Sequence, residues 1–184
     1  MSEEKIDLFE KLVRYLAIKP LNDEAFCIER AEEVIKEENK GNITFIGQHG
    51  YFEDVLDTVE QRIANLKPAE SSLFIYIKGE NSKQRIEKNL LNIILNVDHI
   101  YIVGKPQEWR ITDPKIKFIQ IEDIFTDNHQ RFLIFRSPTY NVAMVSRHSE
   151  CSPKGKRLIE GALTNKKEAV SLLTQIIGTK IYQS

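Results

Sequence analysis

His49 and Glu53 stand four residues apart, the spacing at which two side chains share one helix face and can both reach a metal ion. No other His or Cys repeats that spacing, so an ordinary surface pair is the simpler reading, and neither metal nor covalent cofactor is expected. The same residues overlap Gly47-Gln48-His49-Gly50, a break between an apolar β-branched run and a helical stripe. Glycines there let backbone approach a ligand, and a helix N-terminus offers unpaired N–H groups to an anion. The segment is too short for a dinucleotide fingerprint and no Walker lysine-serine pair follows, so a plain tight turn competes with a ligand contact. Gly104-Lys105-Pro106 closes another strand-like run and carries the same two readings. If both loops bind, they bind one ligand: Gln48 can donate and accept, His49 can exchange a proton, and Lys105 can neutralise an anion. Trp109, the single tryptophan, either covers that edge or folds back over the core. Arg136 and Tyr140 flank a hairpin turn and are the alternative contacts, to an anion or to water. No G-x-S-x-G and no local nucleophile-base-acid set occurs, so no catalytic residue is assigned.

Helices and strands must position these groups. Ile6, Phe9, Leu12, Val13 and Leu16 form one apolar helical stripe, stopped by Pro20. Asn22 or Asp23 can cap a second helix through Phe26, Cys27, Ala31, Val34 and Ile35, and Glu32 to Lys40 reads as its solvated face. Strands are expected at 43–46, 73–77 and 99–103, alternating with helices along Phe52, Leu56, Val59, Ile63 and along Ile86, Leu90, Ile93, Val97. Helical links of this length favour parallel strands. Residues 116–121 read as a further strand, and 132–136 with 141–146 as an antiparallel hairpin across Pro138. Cys151 to Arg157 reads as a loop with a small basic cluster at Lys154, Lys156 and Arg157, and Asn165 as the cap of a last helix. Arg147-His148 reads as solvated. The fold class is therefore α/β, a mixed sheet with parallel strands in a βαβαβ run plus an antiparallel hairpin, flanked by helices.

At 184 residues the chain fits one domain, enough to bury about 70% of its unfolded surface. Lys plus Arg is 26 against 27 Asp plus Glu, a net charge of −1, which argues against a general nucleic-acid binder. At 41% hydrophobic and 9% aromatic the chain is not disordered, and no apolar run approaches a membrane span. Met1 to Glu10 is polar and acidic, unlike a signal peptide, so a cytoplasmic location is expected, with Cys27 and Cys151 as free thiols.

Several short motifs come in an order that resembles the DICT sensory domain of bacterial signalling proteins. Phe45-Ile46-Gly47-Gln48 before Tyr51-Phe52-Glu53 is similar to its strand ending in glutamine. His99-Ile100-Tyr101-Ile102-Val103-Gly104-Lys105-Pro106 is similar to its VYVFG-x-P strand. Phe132-Leu133-Ile134-Phe135 with Pro138, Tyr140, Ala143 and Val145 resembles its paired strands. Glu160-Gly161-Ala162-Leu163-Thr164 with Asn165 resembles its F-x-G-x-W-T-x-D turn. Gln130-Arg131 stands where the family often has Glu-Trp, and Ala162 where it has Trp, so any pocket shaped by those aromatics differs here. The likeness covers about residues 24–177.

The resemblance implies a DICT-like sensory domain over residues 22–178, with residues 1–20 as an N-terminal helical extension that docks on the domain or on a partner. It implies a non-catalytic module that binds a small polar ligand or a partner domain and acts in trans on an output such as a kinase, diguanylate cyclase or regulator. The competing expectation is a small α/β enzyme acting on a nucleotide or other phosphorylated compound through the loops at Gly47 and Gly104.

Overall fold

The computed structural model describes residues 5–17, 28–36, 41–76, 80–104, 111–119, 130–149 and 158–181. Among the described residues, five helices and seven strands follow in the order α1 (Leu8–Leu16), α2 (Ile28–Lys36), β1 (Asn42–Gln48), α3 (His49–Ala64), β2 (Ser72–Tyr76), α4 (Glu80–Asn96), β3 (His99–Val103), β4 (Ile116–Ile119), β5 (Arg131–Arg136), β6 (Asn141–His148), β7 (Leu158–Thr164) and α5 (Lys167–Ile181). The chain is α/β, with one open mixed sheet flanked by helices.

The sheet order is β1-β7-β6-β5-β2-β3-β4. β2, β3 and β4 pair in parallel, and α4 makes the crossover from β2 to β3 that parallel strands require. β5 and β6 form the antiparallel hairpin across Pro138, and β5 also pairs antiparallel with β2. Four antiparallel steps lead from β1 to β2, and an even number of reversals restores direction. β1 thus runs the same way as β2, β3 and β4, although β5, β6 and β7 lie between β1 and β2.

One sequence expectation is corrected here. The stretch Glu160-Gly161-Ala162 is no turn; it is the middle of β7, paired on one side with β1 and on the other with β6. Two residues hid it. Glu160 breaks the apolar pattern because it pairs with Arg147, and Gly161 lowers strand propensity because a ring occupies its side-chain space.

Strand alternation splits the core into two layers. α2, α3 and α4 pack on the face that carries Ile43, Phe45, Leu73, Ile75, Ile100, Ile102, Leu133, Phe135 and Met144. α1 and α5 pack on the opposite face against Phe132, Ile134, Ala143, Val145 and Ala162. The N-terminal stripe therefore docks on the chain's own sheet. Leu8, Phe9, Leu12 and Val13 are buried there, and Asp7 caps the helix by accepting from the Glu10 N–H at 2.9 Å. The buried Gln130 holds the same end, accepting from the Leu8 N–H at 3.1 Å and donating to the Ile6 carbonyl at 3.3 Å. Arg147 sits over the Phe9 ring at 4.9 Å and bridges Asp7 and Glu160, so it is a half-buried ion-pair centre and not the solvated residue expected from its position. Burial works against its charge, and hydrogen bonds and attraction from Glu160 and Asp7 outweigh it, holding the guanidinium above its usual value.

Asn165 departs from its expected capping role in the same way. Its side chain, 1% exposed, accepts from the Gly41 N–H at 2.7 Å and donates to the Val34 carbonyl at 2.6 Å. It ties the end of α2 to the start of β1, leaving the Thr164 hydroxyl to accept from the Lys166 N–H at 3.2 Å at the head of α5.

Candidate functional site

The parallel strands do bring their carboxyl ends to one edge, but not to one place. Gln48 ends β1 and Gly104 follows β3, five strand spacings away in the sheet order, about 24 Å at the usual spacing. Gln48 and Gly104 are therefore not brought side by side, because β5, β6 and β7 insert between β1 and β2. Gln48 is exposed, makes no side-chain cap bond, and precedes His49, the first residue of α3. Gly104 has φ 141°, a conformation glycine tolerates. Lys105 and Trp109 lie outside the described residues, as do Cys27, Cys151 and the Lys154 to Arg157 cluster. Glu53 is taken by Arg131, Oε1 to Nη1 at 2.6 Å, an assignment quite different from metal ligation. Among the described residues no three His, Cys, Asp or Glu side chains gather as a metal site, and no helix is long and apolar enough to cross a membrane.

The alternative pair divides. Tyr140 points into the core, 3% exposed, and its hydroxyl donates to the Ile35 carbonyl at 2.8 Å. That carbonyl belongs to the last turn of α2, so the tyrosine acts as a structural cap and not as a ligand contact. Burial pushes its phenol up to about 12, against the lowering influence of Arg62, whose guanidinium lies 5.7 Å from the ring centre. A raised value means the folded state resists ionisation. The resulting stability is fully present below the unfolded value near 10 and is lost as pH rises toward 12. At pH 11 the loss amounts to about 1.4 kcal/mol. Tyr140→Phe should cost about 1–2 kcal/mol at pH 7, from the carbonyl left without a donor, and should lose less between pH 8 and pH 11 than the parent. Urea unfolding at both pH values measures this, and equal losses in the two proteins would refute it.

Arg136 is different. It is exposed and lines a cleft of about 330 Å³ together with Glu70, Ser72, Ser137, Pro138 and Lys167. The cleft lies at the opposite end of the sheet from the Gln48 edge, at the start of β2 and the end of β5. Register builds it. Ser72 faces Arg136 across β2 and β5, and Arg136 faces Asn141 across the hairpin. Alternation puts Arg136 and Ser72 on the face covered by α5, whose first residue, Lys167, closes the cleft. The hairpin turn is locked by Ser137, whose hydroxyl accepts from the Tyr140 N–H at 2.9 Å and donates to the Tyr140 carbonyl at 2.8 Å.

The wall formed by Glu70 is fixed with equal care. Glu70 has φ 55°, the left-handed region that non-glycine residues enter at some cost. The next residue, Ser71, is fully buried, and its N–H and hydroxyl contact Asp98 at 2.9 and 3.2 Å. The Ser71 backbone bond draws the Asp98 carboxyl below its ordinary value, with smaller help from the Ser71 hydroxyl, Lys115 and His99, against partial desolvation. Two cations, one carboxylate and two serines thus surround a space at the lower end of the small-molecule range, which is about 300–1,000 Å³.

Sequence reasoning reached Arg136 through the hairpin but not Glu70, Ser72 or Lys167, which come from segments far apart in the chain. Compared with protein-family models, curated proteins and solved structures, the chain matches none of them.

Proposed function

We propose that this chain is a non-catalytic sensory module that binds a small polar ligand in the Arg136 cleft and reports occupancy to a partner domain, such as a kinase, diguanylate cyclase or regulator, carried on another chain. The observation that carries it is the cleft itself, where an exposed arginine, two serines and the head of a helix converge. The ordered resemblance of the short motifs to DICT sensory domains points the same way. A route for the report is available: α5 begins at the cleft with Lys167, and its buried Leu173 and Ile177 share a core with Phe9 and Leu12 of α1. A ligand that shifts the first turn of α5 would therefore bias how α1 sits on the sheet. The nucleotide-enzyme reading relied on the Gly47 and Gly104 loops acting together, and their separation removes that support.

The test is a thermal-unfolding panel of small carboxylates, amino acids, sugar phosphates and nucleotides on the parent protein and on Arg136→Ala. Saturation at about a hundred times Kd stabilises by about 2.7 kcal/mol, a midpoint rise of about 5–10 °C for a chain of this size. The reading expects such a rise with at least one compound, its loss in Arg136→Ala, and recovery of the compound unchanged after incubation. A panel without any stabilising compound would overturn it, and conversion of the compound to a product would turn it into an enzyme.

A further inference from the structure

Two opposite charges look into the cleft without meeting. Arg136 and Glu70 both line it, yet neither forms an ion pair with any described residue. Next to Arg136 across the hairpin, and on the same sheet face, Asn141 is 8% exposed with its Oδ1 lacking any hydrogen-bond donor. A buried acceptor without a donor is unusual in a folded protein. Lys167 adds a second positive charge at the head of α5, and the Ser72 side chain adds a hydroxyl. The cleft lining therefore combines donors and positive charge with a carboxylate.

A simple anion answers only half of this arrangement. A phosphate dianion would gain Arg136 and Lys167 but would be repelled by Glu70 in the same small space. A simple amine would have the reverse difficulty. A molecule carrying both charges satisfies both walls. We infer that the cleft takes a small ammonium carboxylate, with the charge pattern of a free amino acid. Its carboxylate meets the Arg136 guanidinium, whose planar fork matches two carboxylate oxygens. Its ammonium donates to Glu70. The Ser72 and Ser137 side chains border its middle, and the volume of about 330 Å³ limits its size. This inference rests on the ligand-binding reading above and names the ligand class of that same site.

Calorimetric titration decides it, with each of the twenty L-amino acids, and with acetate, methylammonium, inorganic phosphate and AMP as the comparison probes. At least one amino acid should bind with Kd in the millimolar range or tighter, and at least tenfold more tightly than acetate or methylammonium. Arg136→Ala and Glu70→Gln, both at exposed positions, should each weaken it at least tenfold while leaving the unfolding midpoint of the free protein unchanged. Silence from all twenty overturns the inference, and so does amino-acid binding that survives both replacements. Phosphate or AMP binding that needs Arg136 but is kept or tightened in Glu70→Gln, without amino-acid binding, overturns the zwitterion and leaves the sensory reading standing. The sensory reading itself falls when the broader thermal panel is silent or when the bound compound is converted to a product.

Discussion

Replacing Arg147 by Met should lower stability by about 3 kcal/mol and loosen the N-terminal helix before the rest of the fold. The guanidinium serves three partners at once. It pairs with Asp7, pairs with Glu160 through Nε at 2.6 Å, and covers the Phe9 ring. The Asp7 and Glu160 side chains are each 14% exposed, so removing the cation leaves two carboxylates close together with little water. Breaking a fully buried pair costs about 3–5 kcal/mol, and the remaining exposure places this site near the lower figure. Most of the cost arises from the orphaned charges. Adding Asp7→Asn and Glu160→Gln to Arg147→Met should therefore restore more than half of it, since asparagine keeps the helix cap. Urea unfolding gives the stability, and hydrogen exchange over Leu8–Leu16 locates the opening. Uniform exchange throughout the chain, with no early opening of α1, would show that the helix is not separately held. The magnitude also bears on the proposed signalling route. A clasp of this size holds α1 down by default, and a ligand acting through α5 would modulate it without having to create the docked state.

What could be read in advance follows from how local each signal is. β2, β3, β5 and β6 are apolar β-branched or aromatic runs, and their burial on both faces leaves a continuous pattern in the chain. The hairpin was visible because a four-residue link across Pro138 leaves two strands little choice. The shared direction of β1, β2 and β3 was visible because helices connect them. The order of the strands was not, since β1 joins the sheet through β7, more than a hundred residues away in sequence. That single long-range fact separates Gln48 from Gly104. A second pairing, of β2 with β5 about sixty residues on, places Ser72 opposite Arg136, which is why half of the cleft was legible and the other half was not. Tyr140 shows the same limit at the scale of one residue. A tyrosine at the end of a turn can face water or core, and only the position of the α2 C-terminus decides.

Gly161→Ala should be among the most damaging single-methyl changes in the chain, at about 3 kcal/mol. In a regular strand, alanine normally improves on glycine, because it restricts the unfolded chain more and fits the extended backbone without strain. Here the added Cβ would fall 2.3 Å from Phe45 Cζ, 2.6 Å from Cε2 and 2.9 Å from Cε1. Three ring atoms are met at once, so rotating the ring does not clear the clash. Translating it is blocked as well: Phe45 is 3% exposed and lies against the Phe52 ring at 6.4 Å between centres. β7 is held on both sides, by β1 and β6, so the backbone cannot step back without breaking two ladders. The strain must be taken up in the core between β1 and α3, which also carries the Gln48 end of the sheet. Shortening the ring should relieve it. Phe45→Leu alone leaves a cavity and should cost about 2 kcal/mol, but the double variant should be more stable than the sum of the two single costs by at least 1 kcal/mol. Urea midpoints with an unchanged slope measure all three proteins. Additive costs would mean that the ring does not occupy the glycine's space, and a stabilised Gly161→Ala would mean that the strand, not the ring, sets the preference at this position.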